Sequence, residues 1–147
     1  MAGYPVVNLK ADLYDGSYHD VDSNEISFKL AAKLAYKNGL PGANPVLLEP
    51  VGELKISVPE YMMGDVMGDI TKRRGRVMGM TPDEDRKGYT IIEAEAPTAE
   101  MMDYTIVLRA MTQGRGSYTF KFIRYEEVPA SEAQKIIAKA KAEADDE

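Results

Sequence analysis

The chain offers little for bond-making chemistry. Its 147 residues hold no cysteine and a single histidine. That excludes thiolate nucleophiles, thiolate metal sites and disulfides, makes a multi-histidine metal centre impossible and leaves a Ser-His-Asp triad without support. His19 stands between Tyr18 and Asp20, just before an expected helix start. It reads either as an exposed recognition tip, able to stack on or hydrogen-bond to RNA, or as a loop histidine without a role. Lys72, Arg73, Arg74 and Arg76 straddle the end of an expected helix. One or two cations there complement the helix dipole; four in five positions exceed that need and suit an anion site as well as a solvated face. Gln113-Gly114-Arg115-Gly116-Ser117-Tyr118 is glycine-rich, yet the chain lacks the Gly-x-x-x-x-Gly-Lys-Ser/Thr phosphate loop. Asp65 and Asp69, one helical turn apart, mildly repel each other and read as a solvated face rather than an acid–base or metal pair. Nothing here predicts catalysis by this chain.

The formal charge is −6, with an uneven distribution. Residues 1–50 carry 4 basic and 6 acidic side chains, residues 51–125 carry 11 of each, and residues 126–147 carry 3 and 7. Clustered cations can therefore make a phosphate-binding face on an acidic protein. No apolar run approaches the roughly 20 residues of a membrane helix, and Met1–Val7 lacks the pattern of a secretory signal.

The elements that would position these residues follow from periodicity. Val7–Tyr14 alternates as a strand, and Asp15-Gly16-Ser17 turns the chain. Asp22 with Glu25 resembles a capping box for a helix carrying Ile26, Leu30 and Leu34 to Gly39. Glu49-Pro50 reads as a boundary. Beyond it the pattern gives a strand at 54–58, a helix at 60–73 closed by Gly75, and a strand at 76–80. A polar turn, a strand at 89–96, a helix from Pro97-Thr98 and a strand from Tyr118 follow. Met101, Met102, Ile106, Leu108 and Met111 are the expected core positions of that second helix. The strand–helix–strand, strand–helix–strand order predicts an α+β ferredoxin-like split-βαβ sandwich. From Ser131 an Ala- and Lys-rich helix is expected to fray into the acidic end.

Several long stretches carry a resemblance. Asp15–Ser23 and Asn44–Pro50 resemble the end of domain IV of bacterial elongation factor G. Tyr61–Asp69 with Arg73-Arg74-Gly75-Arg76, and Met111–Tyr118 followed by Tyr125–Pro129, resemble its domain V. The resemblance implies an incomplete domain IV βαβ segment at 1–50, a ferredoxin-like domain V at 51–128 and a C-terminal helix and acidic tail at 129–147. It implies the ribosome-binding arm of a cytoplasmic translational GTPase that promotes tRNA–mRNA translocation, with GTP, Mg and hydrolysis belonging to a GTPase domain outside this chain. The implied partners are the sarcin–ricin loop, the GTPase-associated centre, and the decoding centre with its tRNA–mRNA duplex. No DNA, membrane, metal or catalytic residue is implied for the chain itself.

By position, the resemblance places Ser17, Tyr18, His19 and Asp20 in a domain IV tip loop entering the decoding centre. Asn24 lies beside it, where the family usually has serine. It puts Arg109 and Gln113 in the segment facing the sarcin–ricin loop, with Arg115 and the Lys72, Arg73, Arg74 and Arg76 block as further rRNA-binding candidates. Asp83–Lys87, Met101–Tyr104 and Ile106–Leu108 depart from the family's usual Arg-Gly-Gly, Met-Phe-Gly-Tyr and Ala-Thr-Asp-Leu patterns, which suits a divergent elongation-factor-G-like paralogue. The alternatives are the arm of a ribosome-protection relative, or a stand-alone ferredoxin-like regulatory or oligomerisation module. Without the rest of domain IV, the strand at 7–14 and the helix at 23–38 are expected to expose apolar faces.

Overall fold

A computed structural model describes residues 2–145 as two compact units, one formed by Leu48–Val128 and the other by the segments on either side of it. The Leu48–Val128 unit is built as β1 (Leu48–Pro59), α2 (Met63–Lys72), β2 (Arg76–Pro82), β3 (Tyr89–Pro97), α3 (Tyr104–Thr112) and β4 (Ser117–Glu127). Its four strands form an antiparallel sheet in the order β2-β3-β1-β4. This is the expected split-βαβ, ferredoxin-like arrangement. Glu49 and Pro50 lie inside β1.

Strand alternation sends one face of the sheet to the helices and the other to solvent. Leu54, Ile56 and Val58 of β1 and Ile92, Ala94 and Ala96 of β3 pack with Val66 and Ile70 of α2 and with Tyr104 and Leu108 of α3. The opposite face bears charge. Lys55 pairs with Glu93 at 3.1 Å, and Arg76 and Arg124 both bind Glu95 and Glu126 at 2.5–3.1 Å.

The second helix departs from the expected one. Thr98–Met101 form a 3-10 turn, and α3 begins only at Tyr104. The start therefore shifts the buried stripe to Tyr104, Leu108 and Thr112, spaced by four. Met101, Leu108 and Met111 do pack on the core, whereas Met102 and Ile106 are 86% and 74% exposed. The helix closures also differ from a glycine stop. Arg74 (φ +60) and Gln113 (φ +52) are the left-handed residues that end α2 and α3. Gly75 is required for space instead: a Cβ there would lie 2.5 Å from Ile70 Cγ2 and 2.8 Å from the Ile70 carbonyl oxygen.

In the other unit α1 spans Glu25–Gly39 and α4 spans Ala130–Asp145. Val7–Tyr14 is exposed and forms no strand. Alternation creates a strand only where a neighbour takes its N–H and C=O groups, and Asn8 (φ +56) breaks the extended path. Among the described residues, 1–47 thus hold α1 and the 3-10 turn Leu40–Ala43, and Leu48–Pro50 begin β1. The helix cap is also displaced: His19 N–H donates to Ser23 Oγ at 2.7 Å and Ser23 N–H to the His19 carbonyl at 3.0 Å. That turn consumes the residues around Asp22, so Asn24 caps α1, its Oδ1 accepting from Ser27 N–H at 3.0 Å. No residue of α1 is buried, and Ile26, Phe28, Leu30 and Leu34 are exposed. The acidic end expected at Asp146-Glu147 lies outside the described residues.

Candidate nucleic-acid interface

The basic block at 72–76 sits where α2 ends, and the structure divides its members. Arg73, only 13% exposed, donates from Nε to Asp69 at 2.8 Å and from Nη1 to Asp103 and to the Glu100 carbonyl, both at 2.6 Å. Its guanidinium also lies 5.2 Å from the Tyr104 ring centroid. Arg74 grips Glu49 through both Nη atoms at 2.7 and 2.8 Å, and reaches Glu100 from Nε at 3.1 Å. The left-handed backbone at Arg74 aims its neighbours in different directions, so consecutive arginines clamp different elements. Arg73 holds the start of α3, and Arg74 ties α2 to β1 and the 98–101 turn. Arg76 joins Glu95 and Glu126 on the open sheet face.

Each arginine is held in its charged form by its carboxylates, chiefly by hydrogen bonds from Arg73 to Asp103, from Arg74 to Glu49 and from Arg76 to Glu126. In return Arg73 holds Asp103 below the usual carboxylate range. Arg73 and Arg74 are thus tied into the fold by largely buried ion pairs, whereas Arg76, with 57% of its side chain exposed, pairs at the surface. Lys72 differs: it is exposed, with no carboxylate partner among the described residues. Asp69, engaged by Arg73, is likewise a structural ion-pair member.

A second group lies around the end of α3. Its C-terminal turn ends on Gln113, and the chain passes through Gly114 (φ +77) and Arg115 into β4. Arg109 and Gln113 are exposed. Arg115 is exposed and hydrogen-bonds the Tyr61 hydroxyl. Neither Arg109 nor Arg115 has a carboxylate partner among the described residues. Thr112 Oγ1 stitches this turn by donating to the Leu108 carbonyl at 2.7 Å and accepting from Gly116 N–H at 2.9 Å. Between α3 and β4 runs a groove of about 480 Å³ lined by Thr105, Leu108, Arg109, Gly116, Ser117, Tyr118 and Phe120. Of the residues named from the sequence, Arg109 lines this groove and Leu108, expected as a core position, forms part of its wall, while Thr105 was not singled out. The four-residue spacing of Thr105 and Arg109 was the available signal, obscured by the misplaced helix start.

In the other unit Ser17, Tyr18, His19 and Asp20 are all exposed. The His19–Ser23 turn fixes the backbone of His19 while its ring stays in solvent. Asn24 differs from these four, since its side chain is committed to capping α1. No three His, Asp or Glu side chains gather as a metal-binding group among the described residues. No described helix is long and apolar enough to cross a membrane.

Comparison with known proteins bears directly on this layout. Residues 46–136 match the family model described as elongation factor G C-terminus, and residues 1–44 match elongation factor G, domain IV. The chain belongs to the elongation factor G family. A crystal structure of a protein from Thermus thermophilus is similar at 42% identity and a TM-score of 0.71. The match covers 88% of this chain and 19% of that protein, so the present chain corresponds to a minor part of its relative's length. The two matched regions follow one another along the chain and meet between residues 44 and 46.

Proposed function

We propose that this chain is the ribosome-binding C-terminal arm of a cytoplasmic translational GTPase that promotes tRNA–mRNA translocation. The observation that carries the reading is the ordered match of two elongation factor G regions along the chain. In this reading GTP and Mg are handled by the parent factor's GTPase domain. The arm itself performs no bond chemistry. It binds ribosomal RNA by shape and phosphate contact, and prevents backward movement by occupying space.

Electrostatics supports a division of labour. A cation already paired at 2.6–2.7 Å has little to offer a phosphate, because the new contact must replace the old one. Lys72, Arg109 and Arg115 are not committed in this way, and Gln113 presents an amide at the same helix end as Arg109. These residues face the large-subunit RNA, including the sarcin–ricin loop and the GTPase-associated centre. Ser17, Tyr18, His19 and Asp20 form the tip that meets the tRNA–mRNA duplex in the decoding centre, and Asn24 supports that tip by starting α1 beside it.

The test places substitutions in the parent factor. Arg109→Ala and Gln113→Ala are expected to weaken ribosome association, and His19→Ala to slow single-turnover translocation while GTP hydrolysis continues. Arg73→Ala is expected to lower stability more than ribosome affinity. Wild-type ribosome binding and translocation in the first three variants would refute the assignment.

A further inference from the structure

Aspartate or asparagine precedes glycine at two places in the chain, Asp15-Gly16 and Asn38-Gly39. In such a pair the following peptide nitrogen can attack the side-chain Cγ, because glycine has no Cβ to shield that nitrogen or restrict its φ and ψ. An amide loses ammonia more readily than a carboxyl loses water, so residue type alone ranks Asn38 first.

The fold treats the two pairs differently. Asn38 and Gly39 lie in α1, with Gly39 at φ −81 and ψ −33. A helical backbone aims the Gly39 N–H along the helix axis, away from the Asn38 side chain, so ring closure there requires opening the last turn. Asp22-Ser23 is held as well, since Ser23 N–H donates to the His19 carbonyl at 3.0 Å. Asp15 and Gly16, by contrast, are exposed and belong to no helix or strand. Gly16 N–H donates to Asp15 Oδ1 at 2.7 Å, so the attacking nitrogen already lies against the carboxyl group it must attack. No atom lies within 4 Å of the position a Gly16 Cβ would take, which leaves room for a ring to form and for water to enter.

We propose that Asp15-Gly16 is a site of succinimide formation and isoaspartate conversion, and that α1 protects Asn38-Gly39 from the same reaction. The Gly16 nitrogen forms a bond to Asp15 Cγ, and a Cγ–oxygen bond breaks. That oxygen leaves as water, carrying the Gly16 amide proton and a second proton that the carboxyl takes up from solvent. Water then attacks the imide ring at the Asp15 main-chain carbonyl carbon. The original bond from that carbon to Gly16 N breaks, and the nitrogen regains a proton. The chain now runs through Asp15 Cβ and Cγ, and the former main-chain carbonyl becomes a free carboxylate. One water is lost and one regained, so the conversion is an isomerisation that needs no oxidant or reductant. It lengthens the main chain directly before Ser17, Tyr18, His19 and Asp20, whose turn is anchored by His19 N–H on Ser23 Oγ. The exposed tip is thereby re-aimed at constant mass.

The experiment incubates the full chain in warm neutral buffer. Isoaspartate is counted by enzymatic methylation of its carboxyl with a labelled methyl donor, and located by electron-transfer fragmentation. It is expected first at residue 15, with a transient product lighter by one water. Deamidation of Asn38 is expected to be at least ~10-fold slower in the folded chain, because α1 must open locally first. In denaturing urea that order is expected to invert. Gly16→Val is expected to slow conversion at residue 15 at least ~10-fold, because a β-branched side chain crowds the attacking nitrogen. The open space at Gly16 lets this variant keep the fold, which circular dichroism checks. Absence of isoaspartate at residue 15, or conversion of Gly16→Val at the wild-type rate, overturns the site. Asn38 converting first in the folded chain, or the same order in urea as in buffer, overturns the protection by α1.

Discussion

Tyr104→Phe is expected to stabilise the Leu48–Val128 unit. Tyr104 is fully buried in the core, and its hydroxyl has no hydrogen-bond partner among the described residues. Burial pushes the phenol's ionisation well above its ordinary range, as expected for a group stripped of water, with Asp69 adding to the effect. An unsatisfied buried hydroxyl costs about 1–3 kcal/mol. Phenylalanine removes that cost and keeps the ring, so the edge contact with Tyr118 and the Arg73 guanidinium above the ring both survive. Against this stands the dispersion attraction of a single oxygen atom for its neighbours, roughly a few tenths of a kcal/mol. The net expectation is a gain of about 1 kcal/mol, or roughly 4–8 °C in melting temperature for a unit of this size. Thermal unfolding followed by circular dichroism reads the effect, with Tyr118→Phe as the matched control. That variant breaks the hydroxyl pair with Thr105 and is expected to lower the midpoint. A Tyr104→Phe midpoint several degrees below wild type would refute the reasoning, because it would mean the native hydroxyl is satisfied, for example by a buried water.

Other changes test the remaining architecture. Gly75→Ala must push a methyl into Ile70 and is expected to cost about 1–3 kcal/mol in urea unfolding; a neutral result would contradict the close approach. Arg74→Ala leaves the mostly buried Glu49 carboxylate without its bidentate partner, and a loss of about 1–3 kcal/mol is expected by the same denaturation assay. Arg124 holds Glu95 and Glu126 below their ordinary value of 4.5, with help from Arg76. Because their folded values are depressed, their contribution is complete above about 4.5 and disappears as pH falls through the folded values. Melting temperature measured from pH 7 to pH 3 should therefore fall below about pH 4.5, and less steeply in Arg124→Gln; identical profiles would count against the network. High salt should weaken these exposed pairs more than the Arg73 clamp, which is readable as a smaller salt dependence for Arg124→Gln than for wild type.

The order of β1, α2, β2, β3, α3 and β4 was legible in the chain because alternation, helical spacing and turn residues are local signals. Each is set by neighbours within a few positions, so no tertiary knowledge is needed to read them. Arg109, Gln113 and Arg115 were singled out by the resemblance of their stretch to the family, and the structure finds all three exposed. The matched families rested on the same contiguous stretches.

Other features depended on distant parts of the chain. Val7–Tyr14 has the alternation of a strand, but pairing is a property of two segments, and none pairs with it among the described residues. The 98–101 turn delayed α3, which rotated Met102 and Ile106 outward and buried Tyr104. Above all, the block Lys72-Arg73-Arg74-Gly75-Arg76 reads as one cluster, yet the fold sends its arginines to Asp103, Glu49 and Glu126, each at least 25 residues away along the chain. The sequence by itself determined that cations would crowd the end of α2 and that two helices would cover one four-stranded sheet. Only the tertiary structure decided which cations were tied into the fold and which stayed free, since most of these pairs join carboxylates that folding brings within about 3 Å from distant parts of the chain, Arg73–Asp69 being the local exception.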